Sequence, residues 1–236
     1  MTNTLAIARR ELLSYYGTFM FYGVTAAFLF VTGILFYIII SSERSATLSP
    51  VYQTTYTVML LCAPFLTMRL ISEELRSGTF ELLSTSPVRD YELVLGKFLA
   101  GFGLILSMLL LTGIYPLLIA LFGSPDRAEI IGGYLGAILF GATAISIGLL
   151  TSSLTSNQIV AAFMSFAIFI VIWVIDGIGG QATGTVAAIV GYLSLFAHFG
   201  DMSRGIIDTK DVLYFLSVIA IALFLATRSI ESRRWR

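Results

Sequence analysis

Cysteine and histidine each occur once in this chain of 236 residues, as Cys62 and His198. A lone cysteine closes no intrachain disulfide, and one of each residue builds no cysteine- or histidine-rich metal site. Charge is scarce too. Only 12% of residues are Asp, Glu, Lys or Arg, against about 25% in an ordinary soluble domain. Fourteen basic residues balance fourteen acidic ones, so no net field favours a nucleic acid partner. The phosphate-binding loop G-x-x-x-x-G-K-[ST] is missing. The one Gly-Lys pair, Gly96-Lys97, precedes Phe98 and has Tyr91 where the first glycine belongs. No catalytic constellation stands out. His198 and Asp201 are three apart, close enough to meet across one helical turn, and read as an interfacial pair. Ionisable groups are nearly absent from the middle of the apolar runs, which leaves proton-coupled transport without carriers.

What the chain has instead is apolar length. Hydrophobic residues make up 57% of it, in runs near the ~20 residues needed to cross a bilayer as a helix. The expected fold is all-α and integral to the membrane, with spans at 19–40, 51–71, 93–122, 130–150, 159–175 and 212–227. The run at 19–40 is too long for the core of a cleavable signal and reads as a retained span. Before it, 4–16 fits an interfacial helix. Leu5, Ala8, Leu12, Tyr15 and Tyr16 share one side, Arg10, Glu11 and Ser14 lie away from it, and Ile7 breaks the pattern. Pro64 and Pro116 should bend their spans. Gly96, Ala100, Gly103 and Ser107 in the third span form a small-residue face. So do Gly132 and Gly136, and Gly133, Ala137, Gly141, Ala144 and Gly148, in the fourth. Such faces let helices approach closely. Residues 151–157 read as a short uncharged turn.

Between 177 and 210 lies a weaker apolar run, 186–199, too short for a span and of re-entrant or interfacial length. Charge placement supports six spans rather than seven. With six, Arg9, Arg10, Arg69, Arg76, Arg89, Lys97, Arg228, Arg233, Arg234 and Arg236 share one side, ten of the fourteen basic residues. Basic residues concentrate on the cytoplasmic side, so both termini and 73–92 are expected there, and 177–210 outside. Hydroxyl and aromatic residues in the spans are candidate pathway liners: Thr54, Thr55, Tyr56 and Thr57 in the second, Ser165 and Phe166 in the fifth.

The stretch 73–92 interrupts the apolar pattern without being a plain solvated loop, because Phe80, Leu82 and Leu83 sit in its middle. Ser77-Gly78 should end the helix that leaves the second span. Thr79 suits the N-cap of a new short helix with Glu81 in its first turn. Ser86-Pro87 suits a second start, serine as cap and proline at the first helical position. Phe80 and Leu83 then face a partner groove.

These residues carry a resemblance. The run from Pro64 to Glu74, then Arg76, Gly78, Thr79, Glu81, Leu83 and Pro87, then Leu95-Gly96-Lys97-Phe98, resembles type-2 ABC exporter permeases. It is most similar to the subgroup of gliding-motility permeases and the permease of nitrous-oxide-reductase maturation systems. The family pattern E-x-(K/R)-x-G-T-x-E-x-L-x-x-x-P is its coupling helix between the second and third spans. The chain departs from it at Ser84-Thr85-Ser86, where leucine or Thr-Leu usually precedes the proline. The resemblance implies one ABC-2-type transmembrane domain over 1–236 in a prokaryotic cell membrane. It implies two permease copies, or one with a close paralogue, bound to two cytoplasmic ATPase subunits that carry the ATP and magnesium. The chain itself would hold no cofactor and catalyse nothing. Coupling would rest on Glu74, Arg76, Gly78, Thr79, Phe80, Glu81, Leu83 and Pro87, and pathway lining on Thr54, Thr57, Ser165 and Phe166. A mechanical or assembly subunit acting on an envelope or periplasmic partner shares the same pattern. An intramembrane enzyme is disfavoured by the missing catalytic groups.

Overall fold

The computed structural model describes residues 2–43, 47–80, 88–179, 192 and 194–234. Among these the secondary structure is helical and contains no strand. The helices are α1 (Thr2–Tyr16), α2 (Phe19–Glu43), α3 (Ser49–Thr67), α4 (Ser72–Ser77), α5 (Asp90–Thr112), α6 (Ile114–Phe122), α7 (Arg127–Leu154), α8 (Gln158–Gly179), α9 (Leu195–Ser203) and α10 (Thr209–Arg234).

Among the described residues six helical runs are long and apolar enough to cross a membrane: Phe19–Ser42, Ser49–Ser77, Asp90–Leu121, Arg127–Leu154, Gln158–Ile175 and Thr209–Arg233. Their outer surface is the reason to put them there. Leu110, Leu121, Phe163 and Phe30 are each more than two-thirds exposed, an apolar girdle that water would not tolerate but lipid does. The same logic explains why these segments are helices, since in lipid each backbone polar group must be satisfied within its own segment. α9 has only nine residues, roughly 14 Å of helix, and cannot cross. Of the expected external run 186–199, residues 186–191 and 193 lie outside the described residues.

α7 forms the axis of the bundle. Two-thirds of its apolar stretch is buried, against 17% for α2 and 22% each for α8 and α10. Glycine makes that central position fit. The stripe Gly133, Gly141, Gly148 receives Tyr52, Ile105 and Thr67 from α3 and α5, while Gly132 and Gly136 receive Met202 and Phe199 from α9. The small-residue faces are thus spent inside one bundle.

Both prolines mark breaks. Pro116 lacks the N–H that would bond Thr112, and the third span divides there at Gly113 into α5 and α6. Pro64 is accommodated within α3, which ends three residues later. A turn at 68–71 then separates α3 from α4, so the second span and its extension are two helices, not one. The uncharged stretch at 151–154 is the last turn of α7, not a loop.

The helices alternate in direction, and side-chain contacts sort their ends. The start of α3 meets the start of α7 through Leu48 N–H donating to Glu129 (2.9 Å). At the opposite end Thr67 of α3 abuts Gly148 of α7, and Ser229 of α10 donates to Ser153 O (3.2 Å). α1, α4, the start of α5 and the end of α10 therefore gather at one end of the bundle.

α1 departs from its expected orientation. The pairs Asn3–Glu92, Ile7–Gly96 and Leu12–Gly103 advance together, so α1 runs along the first turns of α5. Its packed face holds Thr4, Ile7, Ala8, Glu11, Leu12 and Tyr15, while Leu5 is 62% exposed. Ile7, the exception on the helical wheel, is a contact residue, and Glu11, placed on the polar side, points inward.

Candidate functional site

The polar end of the bundle is built on the turn at 68–71. A turn between two helices strands backbone groups that neither helix can satisfy. One side chain from α7 satisfies three of them. Ser152 Oγ accepts from Ile71 N and Ser72 N, both at 3.0 Å, and donates to Met68 O at 3.1 Å. A hydroxyl has one proton and two lone pairs, so its capacity is full. Ser72 Oγ also donates to Met68 O. Ser152 is fully buried, and through it the α3–α4 junction is clipped to the central helix.

Beyond the clip, α4 carries charge. Arg69 holds Glu73 with two hydrogen bonds, Nε at 2.7 Å and Nη2 at 2.9 Å. One residue on, Glu74 turns inward to Lys97 of α5, with Oε1 2.9 Å from Nζ. Glu11 of α1 approaches the same Nζ at 3.6 Å, and Arg10 lies 3.4 Å from that carboxylate. The Lys97 side chain is 1% exposed. A buried ammonium is tolerated only with close counter-charges, and here one lysine has two, from different helices. Glu74 Oε2 has no hydrogen-bond partner among the described residues.

α5 begins beside this cluster. Glu92 accepts from Arg89 N at 3.1 Å, the half of a capping box that ties an N-terminus to its own first turn. Asn3 of α1 reaches the same carboxylate at 3.4 Å. Tyr15 closes the far side. Its hydroxyl donates to Leu66 O of α3 (3.3 Å). Burial, then the nearby Glu11 carboxylate, pushes its phenol above the usual range, so it serves as a neutral donor.

α4 ends as its composition requires. Glu73 and Glu74 occupy the first turn and Arg76 the last, each complementing the helix dipole. Gly78 follows with φ +73°, the left-handed stop that glycine adopts without strain. Arg76, Ser77, Gly78 and Thr79 are exposed, a polar tip held on a buried base. Thr79 is itself in a helical conformation, and its hydroxyl pairs with Ser77 Oγ at 2.8 Å. Phe80, expected to face a partner groove, is instead buried in the chain's own core. Glu81, Leu83 and Pro87 lie outside the described residues.

The pathway residues divide. Thr57 is exposed and Thr54 half-buried on α3, each hydroxyl already donating within its helix, to Gln53 O (3.0 Å) and Val51 O (2.9 Å). Phe166 of α8 meets Phe65 of α3 edge-on at 5.4 Å, which brings the two helices together. Ser165 faces inward, 1% exposed, its hydroxyl without a partner among the described residues.

At the opposite end, His198 does not pair with Asp201. Its Nδ1 lies 2.6 Å from Asp211 Oδ1 on α10, its Nε2 lies 3.0 Å from Tyr192 O, and its ring stacks on Tyr214 at 4.2 Å. The pairing is tertiary, thirteen residues apart, and helical spacing could not reveal it. Ser152 and Glu11 were likewise missed by sequence reasoning. Lys97 left a signal: a cation beside a glycine in an otherwise apolar span.

A family model described as an ABC-2 family transporter protein matches residues 42–227. No curated protein matches the chain. Glu74 and Lys97 fall within the matched region, and α1 with its Glu11 falls before it.

Proposed function

Because this chain belongs to the ABC-2 family of transporter proteins, a family whose members work with an ABC ATPase, we propose that it is a permease subunit that couples ATP hydrolysis on a separate cytoplasmic ATPase to export. The observation that carries this reading is the exposed tip at 76–79, which stands on a base fastened to three helices. A push on the tip is passed to α3 through the turn at 68–71, to α7 through Ser152 and to α5 through Lys97. ATP and magnesium bind on the partner, since the chain has no phosphate-binding loop, and no bond is made or broken here. Two copies share the bilayer, and two ATPase subunits meet their tips on the cytoplasmic side, where the basic residues of this end belong. Glu81, Leu83 and Pro87 are assigned to the same coupling role from the sequence pattern alone. Thr54, Thr57, Ser165 and Phe166 lie on the two helices, α3 and α8, that we assign to the pathway.

The test uses side chains whose loss cannot unfold the bundle. Arg76→Glu and Thr79→Asp alter the exposed tip alone. In the complex co-purified with its ATPase, each lowers ATPase capture by about tenfold, equivalent to ~1.4 kcal/mol. Unchanged capture and unchanged ATPase stimulation would sink the reading. A Thr79→Cys variant in a Cys62→Ser background fixes orientation: an impermeant maleimide labels it in inside-out vesicles and not in intact cells.

A further inference from the structure

We propose that Lys97 is a positioning residue that makes α1 a second output of the coupling region, so that the tip drives the N-terminal helix together with the spans. This rests on the coupling role proposed above. The cluster is a three-way joint. Lys97 on α5 takes Glu74 from α4 at 2.9 Å and Glu11 from α1 at 3.6 Å. Glu73 of α4 lines one small cavity with Glu11, Ser14 and Tyr15 of α1, and the lysine is the charged link between the two helices. It is held in place: a Cβ on Gly96, its neighbour, would lie 2.8 Å from Ile7 Cβ, which keeps α1 seated on α5 at the level of the ammonium. Asn3–Glu92 fixes α1 below the joint and Tyr15–Leu66 above it. A displaced Glu74 must drag Lys97 or abandon it, and abandonment leaves a buried ammonium with one distant counter-charge. Moving α5 and α1 along is the lower-energy course. The geometry also explains why α1 has a carboxylate on its packed face, where an apolar residue would serve packing better.

Lys97→Met keeps the volume of the stem and removes the charge. Glu11→Gln releases α1 alone and leaves the Lys97–Glu74 pair, so it carries the test if Lys97→Met fails to fold. The full chain in a Cys62→Ser background carries spin labels at Leu13→Cys on α1 and Leu213→Cys on α10. A second preparation carries Leu61→Cys on α3 with the same reference. The three labelled sites, Leu13, Leu61 and Leu213, are exposed in the parent chain. Each is co-purified with its ATPase in nanodiscs, and electron–electron distances are read without nucleotide and with AMP-PNP and magnesium. In the parent chain both distances shift. In Lys97→Met and Glu11→Gln the Leu13 shift is lost while the Leu61 shift and ATPase capture persist, and Lys97→Arg keeps both shifts. A Leu13 shift undiminished in Glu11→Gln overturns the proposal, and so does equal loss of both shifts in that variant, which marks a merely structural role. Failure of the parent chain to capture an ATPase, or to move at either site, overturns the coupling reading and this one with it.

Discussion

The two ends of the bundle solve the same problem by partly different means. At each, helices that cross the hydrocarbon must turn and satisfy their loose polar groups. At the end that carries the tip, side chains do it: Ser152 on the turn at 68–71, Lys97 among two carboxylates, Arg233 on the last carbonyls of α7, with Nη2 2.6 Å from Leu154 O. At the other end side chains serve as well, Glu129 accepting from Leu48 N and His198 meeting Tyr192 O, but there backbone also packs directly on backbone. A Cβ on Gly132 would strike Met202 O, and one on Gly205 would lie 2.7 Å from the carbonyl carbon of Ala128. The difference is one of slack. A lysine stem or a serine rotamer can follow a moving partner by rotating; apposed peptide planes cannot. On the coupling role proposed above, the tip end is the one suited to move and the opposite end its pivot.

The largest effect should come from the joint. Lys97→Ala leaves Glu74 and Glu11 facing each other without their cation, and removing one partner of a buried pair costs about 3–5 kcal/mol. Thermal unfolding in detergent reads this as a large loss of stability. Combining Lys97→Met with Glu74→Gln should recover most of it, because replacing a whole buried pair by neutral groups is often close to neutral. Failure of the double variant to recover would mean that the charges hold the end together by more than their mutual compensation.

Next come the glycines, which test slack directly. Gly132→Ala and Gly148→Ala add the same methyl to the same helix. At Gly148 the obstacle is the side chain of Thr67; at Gly132 it is a carbonyl oxygen of the backbone. Overpacking costs about 1–3 kcal/mol, and Gly132→Ala belongs at or above the top of that range. Equal losses at the two sites would remove the distinction between the ends.

How much of this the sequence reveals follows from the same physics. The six apolar helices are visible because lipid demands a continuous apolar run, a property of composition within each segment. The stop at Gly78 is visible because a left-handed residue is a local need. The wheel for α1 went astray at Ile7 and Glu11 because it assumed lipid on one side and water on the other, whereas α1 packs on protein, where a carboxylate is welcome if a lysine waits beneath it. Ser152 looked like part of a turn for a related reason: a serine-rich stretch without charge reads as loop until the stranded amides of another helix give it partners. His198 and Asp211 are separated by the return of the chain from α9 to α10, which no periodicity encodes.

Ser152→Ala is the third comparison. It strands Ile71 N and Ser72 N in a buried site, at a cost of about 1–3 kcal/mol. The loss should be accompanied by faster hydrogen exchange of those two amides while the amides of α9 stay protected. Exchange that quickens equally at both ends would show the bundle breathing as a whole, with no separate tip and pivot.

The smallest effect belongs to the tip, and its size is informative against the matching glycine of the pivot. Gly78 and Gly205 have nearly the same backbone conformation, φ +73° and +83°. Either substitution by alanine incurs the strain of a left-handed residue, about 1–2 kcal/mol. At Gly78 nothing among the described residues lies within 4 Å of the added methyl, so strain dominates the cost, and Gly78→Asn, which tolerates this conformation better, should recover part of it. At Gly205 the methyl also meets the backbone of Ala128 and Glu129, so the same substitution costs more and asparagine does not help. Unfolding midpoints of the four variants separate strain from collision. An asparagine that rescues both sites would mean the pivot has the slack assigned here only to the tip.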